Sequence, residues 1–171
     1  VSPGGDDSNP GTPDRPVRSL THAIGMAASS DILHSVYASE GEYRGAPTGG
    51  GGFDTIALVD GVSVYGGYET GTWRRHPDNL TMIKGSAPGL RAENITSYTE
   101  LGGFIVEAAD TGTGGDGRGL ASVGMYVSNT PGLLIVGSTI RAGAGGPGAN
   151  GREGSNGLPG ETGGVGGNGV V

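Results

Sequence analysis

Glycine recurs at every third position near the carboxyl end of the chain, nine times in strict register. A period of three matches the polyproline II helix, which has three residues per turn and no internal hydrogen bonds. One edge of such a helix carries only hydrogen atoms, so another backbone can approach it closely. We therefore predict a glycine-triplet polyproline II tail over residues 145–171. The assembly residues that this pattern indicates are the repeating glycines Gly145, Gly148, Gly151, Gly154, Gly157, Gly160, Gly163, Gly166 and Gly169.

Three structures compete for this tail. A collagen triple helix needs the same glycine register, but collagen-like sequences usually carry at least ~15–20% proline or hydroxyproline, and the tail holds only Pro147 and Pro159. A bundle of polyproline II strands, packed glycine edge to glycine edge within or between subunits, has no such requirement. A flexible linker is the third alternative, since glycine-rich segments behave as random coils. The register favours the packed bundle and leaves both the collagen-like trimer and the linker open.

Composition excludes several classes of protein. The 39 glycines and 10 prolines among 171 residues oppose a helical bundle, because glycine costs about 1 kcal/mol at a helical position. A net charge of −7 without a basic cluster argues against nucleic acid and anionic membranes as partners. The longest apolar run, Leu133 to Val136, is far shorter than the ~18 residues of a membrane span. Because the sequence starts at Val1, we expect a processed chain or a fragment.

One helix and many short strands are expected between the amino terminus and residue 144. Leu20, Ala23, Ile24 and Ala27 recur at helical spacing. They predict a helix near 19–29, with Ser19 as the N-cap. After it, short β-type runs bounded by Gly, Pro, Asn or Asp predict strands near residues 34–38, 55–59, 62–65, 80–83, 103–107, 124–127 and 133–136.

The spacing of these runs indicates a solenoid. Segments centred at Val64, Ile83, Ile105 and Met125 lie roughly 20 residues apart, as in repeat proteins whose turns stack on one another. An antiparallel sandwich is the alternative, although it favours shorter spacing and clearer polar alternation. Residues 86–99 are poor in apolar side chains, and we expect the turn there to bulge into a loop.

The first part of the chain resembles bacterial cell-surface right-handed parallel β-helix proteins. The residues that carry the resemblance are DSNPGTP at 7–13, VYASEGEY at 36–43 and VSVYGGY at 62–68. The resemblance implies an all-β, right-handed parallel β-helix over residues 1–144, with the helix near 19–29 capping its first turn. It also implies an extracellular or cell-surface location. The chain has fewer recognisable turns than catalytic members of such families, and the fold itself is poorly specific for function.

Three groups of residues are candidates for a chemical role. Asp6, Asp7 and Asn9 place oxygen donors at the short spacing that suits calcium, although hydrogen bonds within a turn explain them equally well. Polysaccharide lyases on this scaffold use carboxylates that bind calcium and a basic residue. The matching candidates here are Asp54, Asp60 and Glu69 with Arg74 and Arg75. A strip for stacking sugars is the third possibility, formed by the aromatic residues Tyr65, Tyr68 and Trp73.

The function that these observations favour is structural. We expect a non-catalytic extracellular protein, a self-assembling surface or filament subunit whose tail packs against itself or against neighbouring subunits. The expected partner is therefore another copy, in a homo-oligomer or filament. No cofactor is expected apart from calcium at the site named above. The alternative is a carbohydrate-binding or polysaccharide-lyase-like β-helix protein, with polysaccharide as its partner and the tail as a spacer.

Overall fold

The computed structural model describes residues 1–151, 153–164 and 166–167, and it consists mostly of strands in parallel sheets with one short helix. Among these residues no helix is long and apolar enough to cross a membrane. The elements in chain order are α1 (Leu20–Ala28), β1 (Ser35–Ser39), β2 (Gly41–Tyr43), β3 (Ile56–Leu58), β4 (Ser63–Tyr68), β5 (Thr81–Lys84), β6 (Leu90–Glu93), β7 (Thr99–Gly102), β8 (Phe104–Glu107), β9 (Met125–Ser128), β10 (Leu133–Val136) and β11 (Thr139–Arg141).

Three parallel sheets form the body of the molecule. Their strand orders are β1-β4-β7-β10, β2-β5-β8-β11 and β3-β6-β9. The chain therefore visits each sheet once per turn and places each new strand beside the one from the previous turn. This architecture fits a parallel β-helix. Because every inner strand is paired on both sides, free strand edges occur, among the described residues, only on the first and last strands of each sheet.

The length of a turn differs from the sequence-based prediction. Paired residues of successive turns lie between 23 and 40 positions apart: Thr81 pairs with Phe104, and Gly41 pairs with Thr81. The roughly 20-residue spacing matches a turn only between Ile83 and Ile105, whose strands β5 and β8 pair. It was wrong as a constant turn length because Val64 and Ile83 belong to different sheets of one turn. The repeat that does align is the tripeptide Ser-Val-Tyr, which occurs at 35–37 and again at 63–65, paired residue for residue.

The helix predicted near 19–29 is present as α1. The side-chain oxygen of Ser19 accepts a hydrogen bond from the backbone N–H of His22 at 3.2 Å, which satisfies one of the unpaired amides of the first turn. One face of α1 is buried, and the helix packs against β1 and β3, the first strands of their sheets. Burial of this face offsets the low helix propensity of Gly25.

The core runs along the axis of the three sheets as columns of paired apolar side chains. In the first sheet Val36, Val64 and Leu101 follow one another through three turns, and all three are buried. Ile83 and Val106 form the corresponding column of the second sheet. Columns of this kind fix the register, because a slip of one residue would turn every apolar side chain outward.

Four strands were not predicted: β2, β6, β7 and β11. The expectation that residues 86–99 bulge into a loop was wrong, because the segment contains β6. In this strand Leu90 and Ala92 are fully buried, while Arg91 and Glu93 face solvent. Its strict alternation is the ordinary signal of a half-buried strand. Fully buried Ile95 then closes the corner that follows it.

A row of alternating charges crosses the outer face of the second sheet. Lys84 lies 3.6 Å from Glu42 and 3.2 Å from Glu107, and Arg141 lies 3.0 Å from Glu107. Each of the four strands contributes one residue to the row. Exposed pairs of this kind contribute at most about 1 kcal/mol each, but opposite charges favour this pairing of strands over a shifted one.

Candidate assembly surface

The last turn of the solenoid exposes side chains that point toward its axis. Val127, Ile135 and Ile140 are 48%, 40% and 37% exposed. The residues that pair with them one turn earlier are fully buried, namely Ala92, Leu101 and Val106. The last turn therefore continues the apolar columns of the core, and no further turn covers them within the described residues.

Free strand edges surround this apolar end. Within the described residues β9, β10 and β11 are the last strands of their sheets, so each leaves one row of backbone N–H and C=O groups unpaired by a further strand. The first two sheets contain four strands and the third contains three. Because successive turns stack on one another, the end is stepped. In the fourth turn β10 lies beside β7 and β11 lies beside β8, but no described strand lies beside the free edge of β9.

The end of the solenoid also carries almost no charge. Between Gly119 and Gly151 the only charged residue is Arg141, and its guanidinium is paired with Glu107. Hydrogen bonds from Lys84 and then Arg141 hold the pKa of the Glu107 carboxyl below its usual value. Within the described residues, the last turn therefore carries far less charge than the rest of a chain whose net charge is −7.

The tail leaves the solenoid along the loop that joins β8 to β9. Ala144 donates its backbone N–H to Asp110 Oδ1 at 2.6 Å, and Ala149 donates to the carbonyl of Gly117 at 2.7 Å. A Cβ atom at Gly146 would collide with the carbonyl oxygen of Gly112, so this close approach requires glycine. Residues 143–149 are therefore anchored on residues 109–120.

The repeating glycines behave differently from Gly146. A Cβ atom on Gly145 or Gly148 would make only an ordinary contact, at 3.6 and 3.9 Å. At the described repeat positions that follow, a Cβ atom would have no other atom of the chain within 4 Å: Gly151, Gly154, Gly157, Gly160, Gly163 and Gly166. Gly169 lies outside the described residues. Contacts within one chain therefore do not account for glycine at every third position.

Between Ala142 and Gly167 the described residues form no regular helix or strand. The polyproline II geometry of the tail and the domain boundary at residue 145 stay predictions.

The predicted calcium ligands take part in hydrogen bonds of the amino-terminal turns. Asp6 Oδ1 accepts from the backbone N–H of Ser8 at 2.9 Å, and this bond lowers the pKa of the Asp6 carboxyl. Asp7 Oδ1 accepts from two backbone amides at the start of α1, and Asn9 donates to the carbonyl of Pro16. These hydrogen bonds pair polar groups of the amino-terminal turns with one another. Calcium binding at these residues stays a prediction. No group of three His, Asp or Glu side chains able to hold a metal ion occurs among the described residues.

Asp54, Asp60, Glu69 and Arg74, which were expected for a lyase-like site, lie in loops between strands and take part in hydrogen bonds there. Asp60 accepts hydrogen bonds from the backbone amides of Thr96 and Ser97 at 2.7 and 2.6 Å, and these bonds join two turns of the solenoid. They lower the pKa of the Asp60 carboxyl, and the Ser97 amide contributes most. Glu69 accepts a hydrogen bond from the hydroxyl of Thr72. Asp54 and Arg74 each take part in a backbone hydrogen bond of their turn, Asp54 donating to the carbonyl of Ala46. The bonds made by Asp60 and Glu69 explain both residues as parts of turns.

The predicted aromatic strip is present in part. The rings of Tyr37 and Tyr65 stack at 5.9 Å between centroids, and Tyr68 meets Tyr37 edge to face at 5.4 Å. The guanidinium of Arg75 lies over both Tyr65 and Tyr68. Trp73 instead donates to the carbonyl of Pro13 and lines a mainly apolar cavity of about 340 Å³ beside α1. Tyr37 was missed, although the repeated Ser-Val-Tyr tripeptide marks it.

Comparison with known proteins gives one match. Residues 3–168 match the family described as "Protein of unknown function (DUF1565)". No curated protein and no solved structure matches the chain.

Proposed function

Because the chain belongs to the DUF1565 family of proteins of unknown function, we propose its role from the geometry: a non-catalytic structural protein that self-assembles at the cell surface or outside the cell. The body is a right-handed β-helix capped at its first turn by α1. The glycine-triplet tail packs against itself or against neighbouring subunits, as the pattern of residues 145–171 favours.

One observation carries this proposal. The repeating glycines from Gly151 to Gly166 have no intramolecular neighbour within 4 Å that would exclude a side chain, yet the sequence keeps glycine there at every third position. Close approach of another backbone is the property that this pattern provides. A neighbouring strand would also pair with the tail's backbone N–H and C=O groups, which a polyproline II helix leaves free of internal bonds.

The test adds side chains along the glycine edge and leaves the folded body unchanged. The variant Gly154→Val/Gly157→Val/Gly160→Val adds three β-branched residues at positions that are open in the single chain and lack a left-handed φ. The matched control Ser155→Val/Asn156→Val/Thr162→Val adds three valines beside them in the same segment. We expect the glycine variant to lose assembled material in electron micrographs and sedimentation, and the control to keep it. Equal assembly of both variants would refute packing by the glycine edge.

A second candidate function is carbohydrate binding at the aromatic cluster of Tyr37, Tyr65, Tyr68 and Arg75. A cation beside partly exposed aromatic rings suits an acidic sugar, because the rings contact its apolar face and the guanidinium pairs with its carboxylate. Polygalacturonate binding, with and without calcium, tests this candidate, and absorbance of unsaturated products tests lyase activity. Binding should fall in Tyr37→Leu and persist in Tyr126→Leu, which alters a similarly exposed tyrosine on another sheet. Absence of both binding and product would eliminate the alternative.

A further inference from the structure

We infer that Asn150 and Asn156 are sites of spontaneous deamidation, which converts them to aspartate and isoaspartate and ends the ability of the tail to assemble. The modification itself follows from these residues and their surroundings. Its effect on assembly rests on the proposed function, because it requires the glycine edge of the tail to be the packing surface.

Every asparagine of the tail is followed by glycine. Asn150 precedes Gly151 and Asn156 precedes Gly157, and Asn168, which also precedes a glycine, lies outside the described residues. Glycine favours deamidation because no side chain hinders its backbone nitrogen and its backbone adopts most conformations. The asparagines of the solenoid are followed by other residues, namely Asn9 by Pro10, Asn79 by Leu80, Asn94 by Ile95 and Asn129 by Thr130.

The reaction needs only the chain and water. The backbone nitrogen of the glycine loses its proton and forms a bond to Cγ of the preceding asparagine, and the Cγ–Nδ2 bond breaks as ammonia leaves. Water then adds to one of the two carbonyls of the resulting cyclic imide and breaks the bond from that carbonyl to the shared nitrogen. Opening at Cγ gives aspartate. Opening at the main-chain carbonyl gives isoaspartate, whose main chain runs through Cβ and Cγ.

Both sites in the tail are open to this attack. Asn150 and Asn156 are exposed in a segment without regular helix or strand. Their side chains and the backbone N–H groups of Gly151 and Gly157 have no hydrogen-bond partner among the described residues. A Cβ atom on either glycine would meet nothing within 4 Å beyond its sequence neighbours. The anchor formed by residues 143–149 ends before both sites, so it does not hold them in a fixed geometry.

The asparagines of the solenoid are held by hydrogen bonds instead. Asn79 donates from Nδ2 to the carbonyls of Gly67 and Arg74 at 3.2 and 3.3 Å. Asn129 donates to the side chain of Asn94 in the previous turn. Attack on these side chains requires that the hydrogen bonds break and that the local backbone opens, which costs free energy in a folded region. The same chain thus contains asparagines that serve as internal controls.

Conversion would interrupt the glycine register. Isoaspartate adds one atom to the path of the main chain, whereas a polyproline II helix repeats at three ordinary residues per turn. Isoaspartate at position 156 would therefore displace Gly157 from the edge that it shares with Gly154. Both products also place a carboxylate where the amide was neutral. Neighbouring copies of a chain whose net charge is already −7 would repel one another more strongly at that point.

Packing of the tail should slow the same reaction. A backbone N–H that is paired with a neighbouring strand must break that bond before its nitrogen can attack. Subunits that have assembled therefore keep their asparagines longer than subunits that remain single. In this way deamidation limits the time during which an unassembled subunit stays competent to join others.

Peptide mapping of the full chain measures the modification directly. The protein is incubated in mildly alkaline buffer, where the attacking nitrogen loses its proton more readily. Mass spectrometry follows the replacement of the amide NH2 by OH, and labelling with an isoaspartate methyltransferase identifies isoaspartate. Conversion at Asn150 and Asn156 should be at least ~10-fold faster than at Asn94 and Asn129, because the folded sites must open first. Equal rates at the four sites, or no conversion in the tail, would overturn the inference.

Assembly of the aged protein tests the consequence. The reference chain is Asn168→Gln, and the variant is Asn150→Gln/Asn156→Gln/Asn168→Gln, so that only the two described sites differ. Glutamine keeps the amide but forms the cyclic imide far more slowly, because its longer side chain must close a larger ring. After the same incubation the reference should lose assembled material in proportion to its isoaspartate content, and the variant should keep it. Equal assembly of the two aged proteins would overturn the effect on assembly.

Failure of this inference and failure of the proposed function give different results. If the glycine edge does not mediate assembly, the Gly154→Val/Gly157→Val/Gly160→Val variant assembles as the natural chain does, and so does the aged reference chain in spite of its converted asparagines. If the glycine edge mediates assembly but deamidation does not disturb it, the valine variant loses assembly and the aged reference chain keeps it.

Discussion

Asn129 donates a hydrogen bond from Nδ2 to Oδ1 of Asn94 at 2.9 Å, and the two residues lie 35 positions apart in consecutive turns. Both adopt left-handed backbone conformations, with φ of 52° and 54°. Asparagine tolerates this region better than other residues with a side chain. The pair therefore joins two corners of the solenoid through side chains while each residue forms the corner through its backbone.

We expect Asn94→Ala to lower the free energy of unfolding by about 2 kcal/mol, because it removes the hydrogen bond and places a Cβ-bearing residue with a left-handed penalty of ~1–2 kcal/mol. Asn94→Gly should cost less, since glycine adopts this backbone freely and loses only the side-chain bond. Urea unfolding of both variants measures the difference. An equal loss in the two would show that the backbone conformation is not responsible.

The position of a residue within a core column determines how much its truncation to alanine lowers the free energy of unfolding. Leu101→Ala should lower the free energy of unfolding by ~2–5 kcal/mol, the usual range for a buried leucine. Ile135→Ala, one turn later in the same column, should cost less than ~1 kcal/mol in the monomer because that side chain is already 40% exposed. Urea unfolding at a concentration where sedimentation shows monomer makes the comparison. Similar losses would mean that Ile135 is covered.

Gly146 and Gly145 offer a one-residue test of how the tail is anchored. Gly146→Ala should detach residues 143–149, because the added Cβ would collide with the Gly112 carbonyl oxygen, whereas Gly145→Ala adds only an ordinary contact. Amide hydrogen exchange at Ala149, whose N–H bonds to the Gly117 carbonyl, should accelerate in the first variant only. Unchanged exchange in Gly146→Ala would contradict the anchoring.

The charge row across the second sheet predicts a dependence of stability on pH. Hydrogen bonds from Lys84 and Arg141 lower the pKa of Glu107 in the folded protein, so its contribution is present above the unfolded pKa of ~4.3. That contribution is lost as pH falls through the lower folded value. Glu107→Gln should therefore lower Tm at pH 6 and have little effect near pH 2. The control Glu153→Gln changes an exposed tail residue and should leave Tm unchanged at both pH values. A Tm difference that persisted at pH 2 would assign the effect of residue 107 to packing.

The sequence identified most of the strands because their apolar runs are framed by residues that break regular structure. Strands with mixed composition were missed: β6 contributes only Leu90 and Ala92 to the core. The turn length was also wrong, because equal spacing along the chain does not distinguish two sheets of one turn from one sheet in two turns. Only the pairing of Ser35–Val36–Tyr37 with residues 63–65 identifies the turn.

Of the candidate assembly surface, only the glycine-triplet tail could be predicted from the sequence. The glycine register is visible in the sequence, but exposure of Val127, Ile135 and Ile140 is not, since their apolar runs resemble those of ordinary core strands. What exposes them is the absence of a following strand among the described residues, a property of the stacking order and not of local composition. Likewise, the stacked rings of Tyr37 and Tyr65 depend on the register between turns.

The anchoring of residues 143–149 on the loop 109–120 also sets how the molecule bears tension. A load applied through the tail reaches the loop through several short backbone bonds, at Ala144, Gly146 and Ala149, before it reaches any strand of the solenoid. We therefore expect a pulling force on the tail to release residues 143–149 before it separates the stacked strands.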